Sequence, residues 1–317
     1  MPQIDSAIKY EKGDVLVSNI RPYLRKIWLA DRNGGCSPDV LVFRAQADKV
    51  DPRYLYYVLS HDDFFDFMMA GKSGLKMPRG DKNAIQKYPV PVPPLAEQKK
   101  LVAVCDKINQ KEEKAEKEIE NLQSSIAQSF VDSGISVGQH GKSFAFASKC
   151  PKRRLGDLLV DWTGCQTKIP ASDIRHEGSI PVVTQEAGSL VAGYVDNVEP
   201  ISNLPLIVFG DHTCAFKYVD FPFVRGADGT QLLKFDDSVV LTQYVAHLFS
   251  AFEVLRSEKY ERHMKYLKEV FIPVPTLAEQ KKIVDAIRVC EKRIAVLKKQ
   301  VADCRAERIA AVEKFLA

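Results

Sequence analysis

One stretch occurs twice in this chain. Pro91 to Val102 reads PVPPLAEQKKLV and Pro273 to Val284 reads PVPTLAEQKKIV, so ten of twelve positions are identical at an offset of 182 residues. A repeat of this kind calls for two structural units of one type, each delivered into the same device. In both copies a proline-bounded extended run feeds Leu-Ala-Glu-Gln-Lys-Lys, a series of strong helix formers. After the first copy, Leu101, Val104, Ile108, Ala115, Ile119, Leu122 and Ile126 recur at three- and four-residue steps, with one polar interruption near Lys111 and Glu112. That spacing is a coiled-coil seam, and the mixed charges of KEEKAEKEIE suit the solvated face. The first helix is expected over 94–131, a rod of ~55 Å at ~1.5 Å per residue, longer than an element of a compact core needs. After the second copy, Ile283, Ile287, Cys290, Ile294, Leu297, Val301 and Cys304, then less regularly Val312 and Phe315, predict a helix over 276–317. The two seams share a period, so the expected partner of each helix is the other.

Ahead of each long helix the pattern is mostly β. Residues 13–43 alternate VLVSNI and DVLVF with turn signals such as DRNGG, which read as strands and tight turns. Asp51 before Pro52 has the form of an N-cap with proline at the first helical position, and Leu55, Val58, Leu59, Phe64, Phe65 and Met68 follow at helical spacing. GKSGLKMPRGDKN is a basic, glycine-containing loop. The Gly- and Ser-rich residues 132–151 predict a linker. Residues 158–243 again alternate short β runs with turns, and Thr242 to Phe252 is a helix candidate matching Tyr54 to Leu59.

A length of 317 residues with 45% hydrophobic content supports about two domains with real cores. A net charge of +4 permits nucleic-acid binding without announcing it. Seven scattered cysteines with no C-x-x-C pair read as reduced thiols rather than a disulfide framework or zinc site. With no apolar leader and no run of 18 apolar residues, the expectation is a cytoplasmic protein with no membrane partner.

The repeated "PVPxLAEQKK" segment opening a long helix, once mid-chain and once near the C-terminus, resembles the DNA-specificity subunit of type I restriction-modification systems. The resemblance implies an α+β chain: two mostly-β target-recognition domains in a pseudo-twofold repeat, joined by two long antiparallel coiled-coil helices. It implies a non-catalytic role, reading the two halves of a split DNA site. The partners it implies are double-stranded DNA, two methylase subunits and motor-nuclease restriction subunits. S-adenosylmethionine, ATP and Mg would then belong to those subunits, with no cofactor in this chain. On this reading the domains are 1–93, the first recognition domain, and 152–275, the second. Aligning Val17 with Val208, Phe43 with Phe235 and Tyr54 with Tyr244 leaves Leu155 to about Asn203 without a counterpart in the first half. The first domain is therefore expected to be partial, as an internal start, a frameshift or a naturally short variant would leave it.

No phosphate loop, dinucleotide turn, H-E-x-x-H or Asn/Asp-Pro-Pro-aromatic tetrapeptide is present, and the six histidines are dispersed. Gly210-Asp211-His212-Thr213 is the most site-like cluster, with a polar turn as its plain reading. Base edges are read by forked donors and amides, and phosphates by Lys, Arg and small hydroxyls. The candidates are Arg21, Arg25, Lys26, Lys72, Lys76 and Arg79 in the first half, and Lys168, Arg175, His176, Gln185, His212, Lys217, Arg225 and Gln231 in the second. An ordinary solvated surface accounts for any one of them equally well; the ensemble points to recognition. Glu97, Gln98, Lys99 and Lys100, with Glu279, Gln280, Lys281 and Lys282, are candidate docking surfaces for two copies of one partner. The alternatives are a coiled-coil scaffold or interaction protein, and a remnant in which only the second domain reads DNA.

Overall fold

The computed structural model describes residues 7–46, 48–70, 77–140, 143–161, 167–227, 229–252 and 263–316. The chain divides into two compact units, Met1–Glu118 with Val296–Ala317, and Ile119–Ala295.

The first unit begins with β1 (Ile8–Tyr10), β2 (Val15–Ser18), a 3-10 turn at Pro22–Leu24, β3 (Ile27–Leu29), β4 (Gly34–Cys36) and β5 (Val40–Phe43). Strand β2 lies between β3 and β5, antiparallel to both. Its Val15 and Val17 are fully buried, against α1 (Pro52–Leu59) and α2 (Asp62–Ala70) through Leu55, Leu59, Phe64, Phe65 and Met68. Helix α1 starts as its sequence dictates: the Asp51 carboxylate accepts from the Arg53 and Tyr54 N–H groups, and Pro52 occupies the first turn. A short α3 (Lys82–Ile85) precedes α4 (Leu95–Asp132).

The second unit opens with β6 (Ile135–His140), β7 (Ser143–Ser148), β8 (Lys152–Arg154), α5 (Leu155–Leu158), β9 (Lys168–Ile169), β10 (Ile180–Val183) and β11 (Gly193–Val195). There follow β12 (Leu206–Gly210), β13 (Phe216–Val219), β14 (Val224–Gly226), β15 (Thr230–Leu233), α6 (Thr242–Phe252), α7 (Met264–Lys268), β16 (Phe271–Pro273) and α8 (Leu277–Leu316). The sheet β13-β12-β15 has the order, sense and strand sequence of β3-β2-β5, its first strand in the middle and both neighbours antiparallel. The second unit adds a mixed sheet, β11-β10-β14-β9, and the pair β16-β8. Neither has a counterpart among the described residues of the first unit, whose remaining strands form the pair β1-β4.

The linker expected over 132–151 is instead the β6-β7 hairpin, paired from Ile135 with Ser148 through His140 with Ser143. Its Gly and Ser content concealed an alternation, Ile135 and Val137 on one strand and Phe144 and Phe146 on the other. Ile135 and Phe146 enter the core beside Phe130, Tyr244 and Phe249, and that burial outweighs composition.

The helices α4 and α8 run antiparallel within the first unit: Lys111 faces Glu307, Glu112 faces Arg305 and Arg308, and Cys105 packs near Val312. The seam departs from expectation at two points. Val104 is 48% exposed while Cys105 is fully buried, so the apolar line runs through the cysteine. The interruption at Glu112 is a buried polar layer, in which its carboxylate takes Arg305 Nε at 2.7 Å and Arg308 at 2.5 Å. Arg308 also donates to Asn109 Oδ1 at 2.7 Å. Arg308 occupies the gap between Cys304 and Val312 where the second seam is irregular, so the two irregularities are partners.

The repeated glutamine explains the repeated motif. Gln98 and Gln280 are 0% exposed. Gln98 Oε1 accepts from the Asp51 N–H at 2.8 Å, and its Nε2 donates to the Lys49 and Pro93 carbonyls at 2.8 and 2.7 Å. Gln280 makes the same three bonds at the matching positions: from Leu241 N–H, 2.8 Å, and to the Val239 and Pro275 carbonyls, 3.3 and 2.8 Å. Tyr54 and Tyr244 add a second matched bond, their hydroxyls donating to the Pro91 and Pro273 carbonyls. Each unit thus clamps the start of its domain helix to the start of its long helix with one amide and one phenol.

Where the two clamps differ, chemistry has been exchanged at fixed positions. In the first unit Arg53 ion-pairs with Asp106, and the Tyr57 hydroxyl donates to Asp106 at 2.9 Å and accepts from Asn109 at 2.8 Å. In the second the matching residues are Gln243 with Arg288, bonded at 2.7 Å, and His247 with Glu291, 3.6 Å apart.

Candidate nucleic-acid interface

The candidate contacts sort by what their side chains already do. In the first unit Arg21, Arg25 and Lys26 stand exposed on the turn between β2 and β3. Arg25 pairs with Asp62 at 2.5 Å. Arg79 lies beside this turn through the bridge between Ile20 and Arg79 and forks onto Asp39 at 3.0 and 3.3 Å. That hydrogen-bonded guanidinium holds the Asp39 carboxyl below its ordinary range. Lys72 and Lys76 lie outside the described residues.

In the second unit Lys168, Arg175 and His176 are exposed, on β9 and on the segment leading to β10. Arg175 bridges Tyr194 through its backbone, which leaves its side chain outward. Gln185 and His212 come together. The amide oxygen of Gln185 accepts from the His212 N–H at 3.3 Å, and Gly229, at φ +57°, leaves the space that a Cβ would take from both side chains. Gln231 is half-buried on β15, opposite Phe209.

Two candidates are corrected. Lys217 and Arg225 are each only 8% exposed. Lys217 sits on the face of β13 that carries Val219, under the segment containing Ser189, whose carbonyl accepts its ammonium at 2.7 Å. Burial pushes its pKa below the ordinary lysine value. Arg225 belongs to β14, an interior strand with β10 on one side and β9 on the other. A charged residue in a short β run gives no sign in sequence of whether both faces of its sheet are covered.

Gly210-Asp211-His212-Thr213 is a structural turn. Asp211 is buried, its carboxylate accepting from the Met264 N–H at 2.7 Å and its own N–H donating to Gly229. Thr213 closes the turn onto the Gln185 carbonyl.

The docking candidates divide likewise. Gln98 and Gln280 are inaccessible to a partner, being wholly engaged in the clamps, and that expectation is corrected for them. Glu279 completes a capping box, accepting from the Thr276 N–H and hydroxyl at 2.9 and 2.7 Å, which holds its carboxyl below the ordinary value. Pro94 stands where Thr276 would be in the first copy, and Glu97 pairs instead with Lys100 at 2.7 Å. Lys99, Lys281 and Lys282 remain exposed. Sequence reasoning missed Asn109, Arg305 and Arg308, and the exposed Tyr23 and Leu24. For Arg308 the available signal was the break in the second seam; for Tyr23 and Leu24 it was an apolar pair set inside a run of cations.

Among the described residues no group of three or more His, Cys, Asp or Glu converges to hold a metal, and no helix is long and apolar enough to cross a membrane.

The duplicated sheet-and-helix block and the antiparallel helix pair define a class of fold, that of the type I specificity subunits. The S subunit of a type I restriction-modification system from M. genitalium superposes with a TM-score of 0.57 at 15% identity, covering 98% of this chain and 84% of that one. A chain from a structure describing complex assembly and conformational transition of the type I R-M system gives 0.55 at 18% identity, covering 99% and 84%. The family model described as type I restriction modification DNA specificity domain matches residues 5–123. The type I restriction enzyme EcoDI specificity subunit of Escherichia coli is 30% identical over 113 residues, 36% of this chain and 25% of that protein. The chain thus matches about a quarter of that relative's length. Residues 5–123 thus match the specificity-domain family, and the fold is shared with solved type I S subunits.

Proposed function

We propose that the chain is the DNA-reading subunit of a type I restriction-modification complex and has no active site of its own. Each unit reads one half of a bipartite site. Methylase subunits, bringing S-adenosylmethionine, modify adenine there, and restriction subunits, with ATP and Mg, cleave. The observation that carries this reading is the duplication: the same three-stranded sheet, domain helix and amide clamp occur twice, each at the start of a long helix. Two copies of one reader suit a split site, and the long helices α4 and α8 would set the spacer between its halves. The exposed lysines at the helix starts, Lys99, Lys100, Lys281 and Lys282, remain the docking candidates for two methylase copies.

The test is a genome-wide map of N6-methyladenine in cells expressing the chain with a type I methylase subunit. An asymmetric split motif is the expected result. A motif defined on one side only, or a palindrome, would leave the second unit as the sole reader, a reading favoured by the mixed sheet that only the second unit carries among the described residues. Absence of any chain-dependent methylation, together with duplex binding that does not weaken as salt rises, would return the protein to the scaffold class.

A further inference from the structure

We infer that the turn between β2 and β3 is a preformed contact for duplex DNA, in which Arg21 and Lys26 hold phosphates and the Tyr23–Leu24 pair meets base edges. This rests on the DNA-reading role proposed above and assigns it a specific element of the first unit.

The backbone of this turn is unusual and firmly held. Arg21 (φ 51°, ψ 63°) and Arg25 (φ 51°, ψ 39°) are both left-handed and bracket Pro22–Leu24. They are two of the four non-glycine residues with positive φ among the described residues. Residues other than glycine and asparagine seldom adopt that region, and where they do the surroundings must enforce it. Here the Arg21 N–H donates to the Pro78 carbonyl at 2.8 Å and the Ser18 N–H to the Lys26 carbonyl at 2.9 Å. The Asn19 N–H donates to Asp39 at 2.8 Å, and the buried Asn19 side chain to Gly80 at 3.1 Å. Inside the turn, Leu24 and Arg25 N–H groups return to Arg21 and Pro22 at 2.9 and 2.8 Å.

The side chains are not held in the same way. Tyr23 is 50% exposed and Leu24 47%, and Met77, next to the Pro78 that anchors Arg21, is 46% exposed. Around this apolar tip, Arg25 and Arg79 are balanced by Asp62 and Asp39, whereas Arg21 and Lys26 have no carboxylate partner among the described residues. A rigid backbone, two cations without counter-charges and an adjacent aromatic–aliphatic pair match what a duplex offers: phosphates on the flanks, and base edges with thymine methyls in the groove. A turn already fixed in place loses little conformational freedom on contact.

The corresponding turn of the second unit behaves oppositely. Between β12 and β13, Asp211, Thr213 and Cys214 bond inward to Met264, Gln185 and Gly210, and Cys214 takes the left-handed conformation. The same hairpin position is strained in both units, but only the first uses it to present side chains.

The test uses the full-length chain and a fluorescent pool of random-sequence duplexes, with affinity followed over a salt series and bound duplexes sequenced. Asparagine tolerates the left-handed region, so R21N/K26N keeps the turn. Its slope of log affinity against log salt should be shallower by about 2 than that of the wild type, roughly one for each lost phosphate contact. K107N, at an exposed lysine on α4, should leave the slope unchanged. Y23A/L24A should keep the slope and lose about tenfold or more in preference among the selected duplexes. Steep, salt-dependent binding by the wild type, with neither double variant changing slope or selected sequence while melting at the wild-type temperature, would overturn the assignment of this turn and leave the DNA-reading role standing. Failure of the wild type to bind duplex in a salt-dependent way would remove both.

Discussion

Replacing Gln98 or Gln280 with leucine keeps the volume of each clamp and removes its hydrogen bonds. In Q98L the Asp51 N–H and the Lys49 and Pro93 carbonyls lose a partner that is itself fully buried, in part-buried bonds. An orphaned buried donor costs ~1–3 kcal/mol, and under-satisfied carbonyls cost less because each has a second lone pair. The sum is about 3 kcal/mol. Q280L removes the same set, one member of which is already long at 3.3 Å, so its cost should be similar or slightly smaller. Because the chain has two units, a single unfolding free energy need not describe it, and residue-resolved hydrogen exchange is the appropriate assay. The Asp51 amide should lose protection in Q98L alone, and the Leu241 amide in Q280L alone, each with a lower urea midpoint for the unit concerned. Losses under ~0.5 kcal/mol with both amides still protected would refute the clamp. If such stable variants also failed to bind methylase, the glutamines would be docking residues after all.

Three further outcomes follow from the same geometry. Burial pushes the Glu112 carboxyl up, but hydrogen bonds from Arg305 and Arg308 outweigh it and hold the group below its ordinary value of 4.5. The stabilisation is therefore present above that value and lost as pH falls through the lower folded one, so acid melting curves of the wild type should show a decline that E112Q lacks. Burial, with Arg288 nearby, holds His247 at about 4, against an ordinary 6.5. The unfolded chain takes up that proton first, so the second unit should lose stability as pH falls from 6.5 toward 4, and H247Q should flatten this limb in pH-dependent thermal melts. Removing one heptad from both α4 and α8 should change the spacer of the methylated motif and leave both half-sites intact; an unaltered spacer would disprove that these helices set it.

The long helices were legible because their periodicity is a property of the chain itself, and both observed spans fall within two residues of expectation. The mostly-β blocks before them were legible through turn residues and β-branched runs. The polar layer was legible only as two separate irregularities, since nothing in the sequence couples Glu112 to Arg308 across nearly two hundred positions. Gln98 and Gln280 were read as surface because glutamine is polar. Their burial depends on three backbone groups, two of them in the distant segment that starts the domain helix. Lys217 and Arg225 failed as contacts for a related reason: a strand's alternation shows which residues share a face, and what covers that face is decided elsewhere. The hairpin over 135–148 was hidden by Gly and Ser, although its four apolar residues alternate as a strand requires.

The matched clamps also bear on how such a chain can change over generations. Each twelve-residue repeat encodes the junction where a domain is fastened to its helix, and the groups of the amide and phenol bonds lie within the repeat or in the domain preceding it. Recombination between the two nearly identical stretches would therefore join a whole domain to an intact helix start with the amide and phenol bonds restored, while the pairs beyond the repeat would be mismatched, Arg53 meeting Arg288 in place of Asp106. Inheritance can exchange one domain for another at this point and keep the amide-and-phenol joint, leaving only the neighbouring charge pairs to adapt.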